Sequence, residues 1–175
     1  MKDKKLLSDI KEYLKCYENQ VLEDWYELIR HISVSETGEG IETCCDWIQK
    51  KMEEIGIQVT KYSVKPAPVL VGRFGNDPEK KTVLIYAHYD VKPAGERKLW
   101  HSDPFVPTVR DGKVYARGSA DNKSPLMAHL KALEYFIRRK MEVPVNVIFV
   151  FDLSCSHLLL VSDIESIVYL YERSL

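Results

Sequence analysis

The sequence predicts an α/β fold, with helices packed on both faces of a mixed, mostly parallel sheet. Strand-length apolar runs alternate with segments that carry a single apolar stripe at helical spacing, which is the pattern of layered α/β domains. The chain has 175 residues, enough for one domain with a sizeable core. No internal repeat or low-complexity segment interrupts this pattern.

Three helices are predicted from apolar residues that recur three and four positions apart. They cover residues 3–31, 41–55 and 125–140. A break is expected in the first helix near Glu18 and Asn19. Gly56 is expected to end the second helix, and Ser124 to cap the third with Pro125 in its first turn.

Four strands are predicted from apolar runs rich in β-branched residues. They cover residues 57–64, 69–74, 83–87 and 145–151. The 83–87 run is of the kind that a strand buried on both faces would show. In addition, the Asp-Gly pair within Arg110-Asp111-Gly112-Lys113 indicates a hairpin.

The overall composition argues against several classes of partner. The net charge of −1 gives no reason to expect nucleic acid or an acidic membrane, and no apolar run has the length of a membrane span. The N-terminus lacks the apolar region of a signal peptide. The four cysteines show no C-x-x-C spacing, which favours a reducing cytoplasm over a disulfide framework.

Polar side chains follow the third predicted strand where it ends. Alternation along a strand puts His88 and Asp90 on one side and Tyr89 on the other, while Asp121 lies in a predicted strand-to-helix turn. One imidazole and two carboxylates converging on a sheet edge have the composition of a metal site. Taken singly, each has an ordinary alternative: a structural histidine at a strand end, or an aspartate that caps a turn or helix.

The order of these residues resembles metallopeptidase family twenty, the dinuclear zinc group that includes cytosolic non-specific dipeptidase and carnosine dipeptidase. The family motif His-x-Asp-Val-x-Pro is matched by residues 88–93, and the motif Gly-Arg-Gly-x-x-Asp-x-Lys-Gly by residues 116–124. Ala116 and Ser124 replace two glycines of the second motif. Residues 100–115 are most similar to the dipeptidase branch, and the likeness extends over roughly positions 5–151.

The resemblance implies a three-layer α/β/α catalytic domain that holds two zinc ions, with manganese as an alternative. His88 would ligate one zinc, Asp121 would bridge both, and Asp90 would orient His88 by accepting a hydrogen bond from its other ring nitrogen. The implied reaction is hydrolysis of a peptide bond in a short peptide by zinc-activated water, in the cytoplasm. Lys123 and Arg117 are expected to neutralise or orient nearby carboxylates, or else to be ordinary surface charges. His101 and His129 match no motif.

The sequence departs from the family after residue 151. In the family, this strand leads into a turn that supplies the general base and, directly after it, a zinc-ligating Glu. Here it leads into Asp152-Leu153-Ser154-Cys155-Ser156-His157, with no Glu pair. Asp152 is expected near the missing Glu, but one carboxylate cannot act as both base and ligand. Cys155 and His157 are ligand types without motif support.

We therefore expect residues 1–151 to be the N-terminal part of a catalytic domain and residues 152–175 to be a divergent tail, with the lid or dimerisation domain absent. The first functional hypothesis is a monomeric, inactive or weakly active fragment of a zinc dipeptidase. The alternative is a non-catalytic truncated paralogue or interaction module. The tail is expected either to form a helix over an exposed sheet edge or to be a poorly ordered appendage. A serine hydrolase is excluded, because residues 117–121 lack the final glycine of G-x-S-x-G.

Overall fold

The computed structural model describes residues 2–65 and 67–153. The helices are α1 (Lys2–Arg30), α2 (Ile41–Glu54) and α3 (Lys123–Arg138), with one turn of 3-10 helix at Arg97–Leu99. The strands are β1 (Gln58–Tyr62), β2 (Val69–Phe74), β3 (Thr82–His88), β4 (Thr108–Arg110), β5 (Lys113–Tyr115) and β6 (Asn146–Asp152). The predictions for Cys155, His157 and the tail helix lie outside the described residues.

Two of the predicted helix boundaries are wrong. Helix α1 runs without interruption through Glu18 and Asn19, because neither residue costs a helix more than a fraction of a kcal/mol. Helix α3 begins at Lys123, so Ser124 lies inside it and Asn122 occupies the N-cap position. Pro125 is tolerated there because the N–H groups of the first turn have no acceptor within the helix.

The end of α2 and the 111–112 hairpin follow the prediction. Gly56 takes a positive φ of 82° and its N–H bonds to the carbonyl of Glu53, which closes α2. Asp111 and Gly112 have φ values of 50° and 69°, as a two-residue hairpin turn between β4 and β5 requires. Both features are confirmed.

The main sheet has the order β1-β2-β6-β3. Strand β6 pairs parallel with β3, whereas β1 with β2 and β2 with β6 are antiparallel. The prediction of a mixed sheet is confirmed, but within the described residues the sheet is not mostly parallel. The short link between β1 and β2 leaves no room for a crossover, so these two strands can pair only as a hairpin.

Strand β3 lies at the edge of this sheet and β6 at its centre. Val83, Leu84 and Tyr86 of β3 are 42%, 43% and 39% exposed, whereas Phe149 and Val150 of β6 are 0% and 2% exposed. The expectation that β3 is buried on both faces is therefore wrong. A β-branched apolar run indicates a strand, but it does not distinguish an edge position from a central one.

All three α-helices contribute to one core on a single face of the sheet. Leu28 of α1, Ile48 of α2 and Leu126 of α3 pack in the same cluster as Phe149 and Phe151. Each such side chain stabilises the fold by about 1.5–3 kcal/mol relative to exposure. The opposite face carries a smaller cluster, to which no helix of the described residues contributes: Val69, Val71, Ile148 and Val150. Two of the three predicted layers are thus present in the described part of the chain.

Helix α2 approaches the sheet closely over Gly72 of β2. A Cβ at this position would lie 2.2 Å from Cε of Met52 and 2.8 Å from Cγ2 of Ile57. Because Gly72 has no side chain, the Met52 side chain can pack against the strand. None of the helices in the described part of the chain has the length and hydropathy that crossing a membrane requires.

Candidate metal site at the end of strand β3

The site is a chain of three side chains centred on His88, the last residue of β3. Nδ1 of His88 lies 3.0 Å from Oδ1 of Asp90, and Nε2 lies 3.0 Å from Oδ1 of Asp121. The Asp90 side chain is 0% exposed and the Asp121 side chain 84% exposed. One nitrogen of the ring therefore faces a buried carboxylate, and the other faces a carboxylate open to solvent.

The two carboxylates control the charge of the imidazole. Burial by itself would lower the pKa of His88, but the hydrogen bond and charge of Asp90, followed by those of Asp121, outweigh it and raise the pKa. Because an ionised carboxylate can only accept a hydrogen bond, a protonated ring nitrogen donates a hydrogen bond to it. In the absence of a metal, this arrangement favours the imidazolium.

Residues 33–35, just after α1, hold the segment that carries Asp90. The hydroxyl of Ser33 donates to the carbonyl of Tyr89 at 2.7 Å, and the N–H of Val91 donates to the carbonyl of Ser33 at 2.8 Å. The N–H of Ser35 donates to the carbonyl of Val91 at 3.2 Å. Asp90 is thus fixed by its neighbours on both sides. Sequence motifs gave no signal for Ser33 or Ser35.

The turn before α3 presents Asp121. The peptide bond between Asp121 and Asn122 is cis. Gly118 takes a positive φ of 78°, and a Cβ there would lie 2.4 Å from Cγ1 of Val91. The Asp121 turn therefore packs directly on the segment that carries Asp90, and only glycine permits this contact.

The two basic residues of the second motif do not contact the site's carboxylates. Lys123 is 1% exposed, and its Nζ donates to the carbonyls of Leu28 and His31 at 3.0 and 2.6 Å. The guanidinium of Arg117 lies over the ring of Trp100, 5.5 Å from the centroid. Lys123 is therefore not a surface charge. Burial lowers its pKa and the nearby charge of Asp90 raises it, so the expectation that it helps to neutralise a carboxylate stays a prediction.

Asp152 lies beside His88 in the sheet, because these two residues are partners in the β3–β6 ladder. Tyr86 donates its hydroxyl to Oδ1 of Asp152 at 2.7 Å, while Oδ2 is buried and has no hydrogen-bond partner among the described residues. Burial raises the pKa of Asp152 to about 6, against the lowering effect of the Tyr86 hydrogen bond. Sequence reasoning placed Asp152 near the site but missed Tyr86.

The described residues offer a pair of donors and no larger set. Within residues 2–65 and 67–153, no group of three or more His, Cys, Asp or Glu side chains is arranged to hold a metal ion. His101 and His129 are exposed and take no part in the contacts described above. An imidazole nitrogen beside a carboxylate oxygen is nevertheless the donor chemistry that zinc accepts.

Residues 84–153 match the model of peptidase family M20/M25/M40. This segment belongs to that family. The M20 segment contains His88, Asp90 and Asp121, and it extends to the end of the described residues.

Several of the relatives and solved structures that the chain resembles are dipeptidases. It is 41% identical over 106 residues to the Cys-Gly metallodipeptidase dug1 of Schizosaccharomyces pombe, covering 58% of this chain and 22% of the relative. It is 42% identical over 85 residues to the Beta-Ala-His dipeptidase of Homo sapiens, covering 49% of this chain and 17% of the relative. The crystal structure of human carnosine dipeptidase 1 superposes with a TM-score of 0.76 at 27% identity, covering 83% of this chain and 34% of that one. The chain thus spans about a fifth of the length of these curated relatives.

Proposed function

We propose that this chain supplies one imidazole and one carboxylate ligand to the metal centre of a metallodipeptidase. The reaction that the centre serves is hydrolysis of a peptide bond in a short peptide. The observation that carries the proposal is the series Asp90–His88–Asp121, with both contacts at 3.0 Å and the buried carboxylate on Nδ1. A carboxylate behind a histidine is the usual arrangement around a metal-ligating imidazole.

The residues fit a zinc ion, with manganese as an alternative. Asp90 occupies Nδ1 of His88, so Nε2 is the nitrogen that would bind the metal, together with the exposed carboxylate of Asp121. The proton that Nε2 donates to Asp121 is the one that metal binding would displace, so affinity should fall at acidic pH. When bound, such a metal polarises a substrate carbonyl and lowers the pKa of a bound water.

We further propose that the chain alone binds zinc weakly and has little or no dipeptidase activity. His88 and Asp121 are two donors, whereas a catalytic zinc site uses three protein ligands. The buried carboxylate of Asp90 hydrogen-bonds to His88, so it is not counted as a third metal ligand. Loss of a general acid or base typically costs on the order of 100- to 10,000-fold in rate.

A non-catalytic interaction module is the second candidate, and the exposure of strand β3 favours it. Val83, Leu84 and Tyr86 are each about 40% exposed along an edge strand. Exposed edge strands pair readily with strands from other chains. This candidate predicts a complex that does not depend on zinc or on His88.

The test is a calorimetric zinc titration of the purified chain with a parallel assay of unblocked dipeptides, including Cys-Gly and β-Ala-His. We expect weak binding that His88→Ala abolishes and that His129→Ala, a change in an exposed histidine, leaves unaltered. Dipeptide turnover is expected to be slow or undetectable, with or without added manganese.

Two results would contradict the proposal. Zinc binding that survives His88→Ala would show that the metal lies elsewhere. Tight binding of two zinc ions with rapid turnover would show that other residues complete the centre, and that the chain is an active enzyme.

A further inference from the structure

Lys123 is buried beneath the candidate site. The residue is 1% exposed, and Nζ donates to the carbonyls of Leu28 and His31. Both carbonyls lie at the C-terminal end of α1, where backbone oxygens lack a partner within the helix. Burial lowers the pKa of Lys123, because removing the charged ammonium group from water costs free energy. Lysine is rarely buried fully unless it is paired, and here the pairing is to backbone.

The residues at the same end of α1 also hold the segment that carries Asp90. Directly after it, Ser33 bonds to Tyr89 and Val91, and Val34 forms a parallel bridge with Val91. Residues 28–35 therefore contact both the segment that carries Asp90 and the side chain of Lys123. We call residues 28–35 the platform.

Lys123 also closes the turn that presents Asp121. Its N–H donates to the carbonyl of Gly118 at 3.2 Å, and its Cδ lies 3.5 Å from the position a Gly118 Cβ would take. The Asp121 side chain is 84% exposed, and within the described part of the chain its carboxylate hydrogen-bonds to His88. The position of Asp121 is therefore set by the backbone of this turn, since its side chain has little else to hold it.

We propose that Lys123 is a positioning residue that sets the separation between His88 and Asp121. It does so by tying the Asp121 turn to the carbonyls of Leu28 and His31, on the platform that also holds residues 89–91. The significance for metal binding rests on the proposed function, whereas the separation itself does not.

The test compares Lys123→Met with Lys131→Met in the full chain. Methionine keeps most of the apolar stem and removes the donor. Lys131 is a partly buried lysine of the same helix that pairs with Asp24 and Glu134, outside the platform and the site. The measurements are the His88 Nε2 to Asp121 Oδ1 distance in metal-free crystals, zinc affinity by calorimetry, and the thermal midpoint.

We expect Lys123→Met to lengthen the distance by more than about 1 Å and to weaken zinc binding about 10- to 100-fold, the usual effect of losing an outer partner. Lys123→Arg, which keeps donors, should recover most of this loss. Lys131→Met should lower the thermal midpoint, leave the distance within about 0.5 Å of wild type and leave the affinity within twofold of wild type. If Lys123→Met does not fold, Lys123→Gln takes its place with the same criteria.

The inference is overturned if the distance in Lys123→Met stays within about 0.5 Å of wild type. It is also overturned if Lys131→Met weakens zinc binding as much as Lys123→Met, since that would be general loosening of α3. If the wild-type chain binds no zinc, the proposed function fails, while the metal-free distance still decides the role of Lys123.

Discussion

Replacing Asp152 by Asn should remove a specific part of the chain's pH-dependent stability. Asp152 is 1% exposed, and burial raises its pKa from 3.8 to about 6. Asn keeps the oxygen that accepts from Tyr86 and removes the titrating group. The change therefore keeps an acceptor for the hydrogen bond at 2.7 Å and removes the charge.

The magnitude follows from the shift. A folded-state pKa raised above the unfolded value means that the folded state favours the neutral acid. The contribution to stability is fully present below pH 3.8 and is lost as the pH rises through about 6. At 1.36 kcal/mol per unit, the full loss is about 3 kcal/mol, of which about 1.5 kcal/mol falls between pH 5 and pH 7.5.

The assay is urea unfolding of wild type and Asp152→Asn at pH 5 and pH 7.5, with a chelator present. For an m-value of about 2 kcal/mol/M, the wild-type midpoint should fall by roughly 0.7 M more than that of the variant between the two pH values. The stability contribution of His88 changes with pH in the same direction, because its pKa is also raised. The comparison of the two proteins subtracts the part of that contribution that does not depend on the Asp152 charge. The unfolding free energy at a single pH is a poorer measure of the effect. The Asn side-chain NH2 would take the place of Oδ2, which is buried without a hydrogen-bond partner among the described residues, at a cost of about 1–3 kcal/mol.

Asp111→Asn is the matched control. It removes one carboxylate from an exposed turn whose φ of 50° asparagine tolerates. It controls for the loss of one carboxylate charge from the chain. Equal pH dependence in Asp152→Asn and wild type would refute the reasoning, because it would mean that Asp152 does not titrate in this range.

Three further outcomes follow from the geometry. Gly118→Ala should destabilise by about 1–3 kcal/mol more than Gly112→Ala in urea unfolding, since a Cβ clashes only at the former; equal losses would count against the close contact. Asp90→Asn should lower the pKa of His88, measured by NMR, and weaken zinc binding about 10- to 100-fold. An unchanged pKa of His88 would rule out the Asp90 contact. Leu84→Lys should reduce self-association measured by light scattering and change the unfolding free energy by less than about 0.5 kcal/mol. A large loss of unfolding free energy would mean that the β3 edge is covered.

Local patterns predicted the elements and their order well, because each depends on a few neighbouring residues. Strand and helix positions followed from apolar spacing, and the Asp111-Gly112 turn from its residue types. The sequence did not reveal that β6 lies between β2 and β3, because pairing partners far apart in the chain leave no local signal. That same order explains why β3 is an edge strand.

The candidate site was predictable in its ligand types but not in its support. His88, Asp90 and Asp121 stand in recognisable motifs, and the structure brings them within hydrogen-bond distance. The contacts of Ser33 and Lys123 are to backbone carbonyls, which any sequence supplies. A motif therefore indicates that Lys123 is present but not which way its side chain runs.

The position of β6 at the centre of the sheet has a consequence during synthesis. Strands β1, β2 and β3 leave the ribosome first, yet β3 has no ladder with either of them in the described sheet, and Thr82 pairs with Asn146. The chain emerges at about 5–20 residues per second during synthesis. For several seconds the nascent chain therefore contains β3, with Val83 and Leu84, before β6, the strand with which β3 pairs, has been synthesised. Through this interval, β3 lacks the strand with which it pairs in the folded chain.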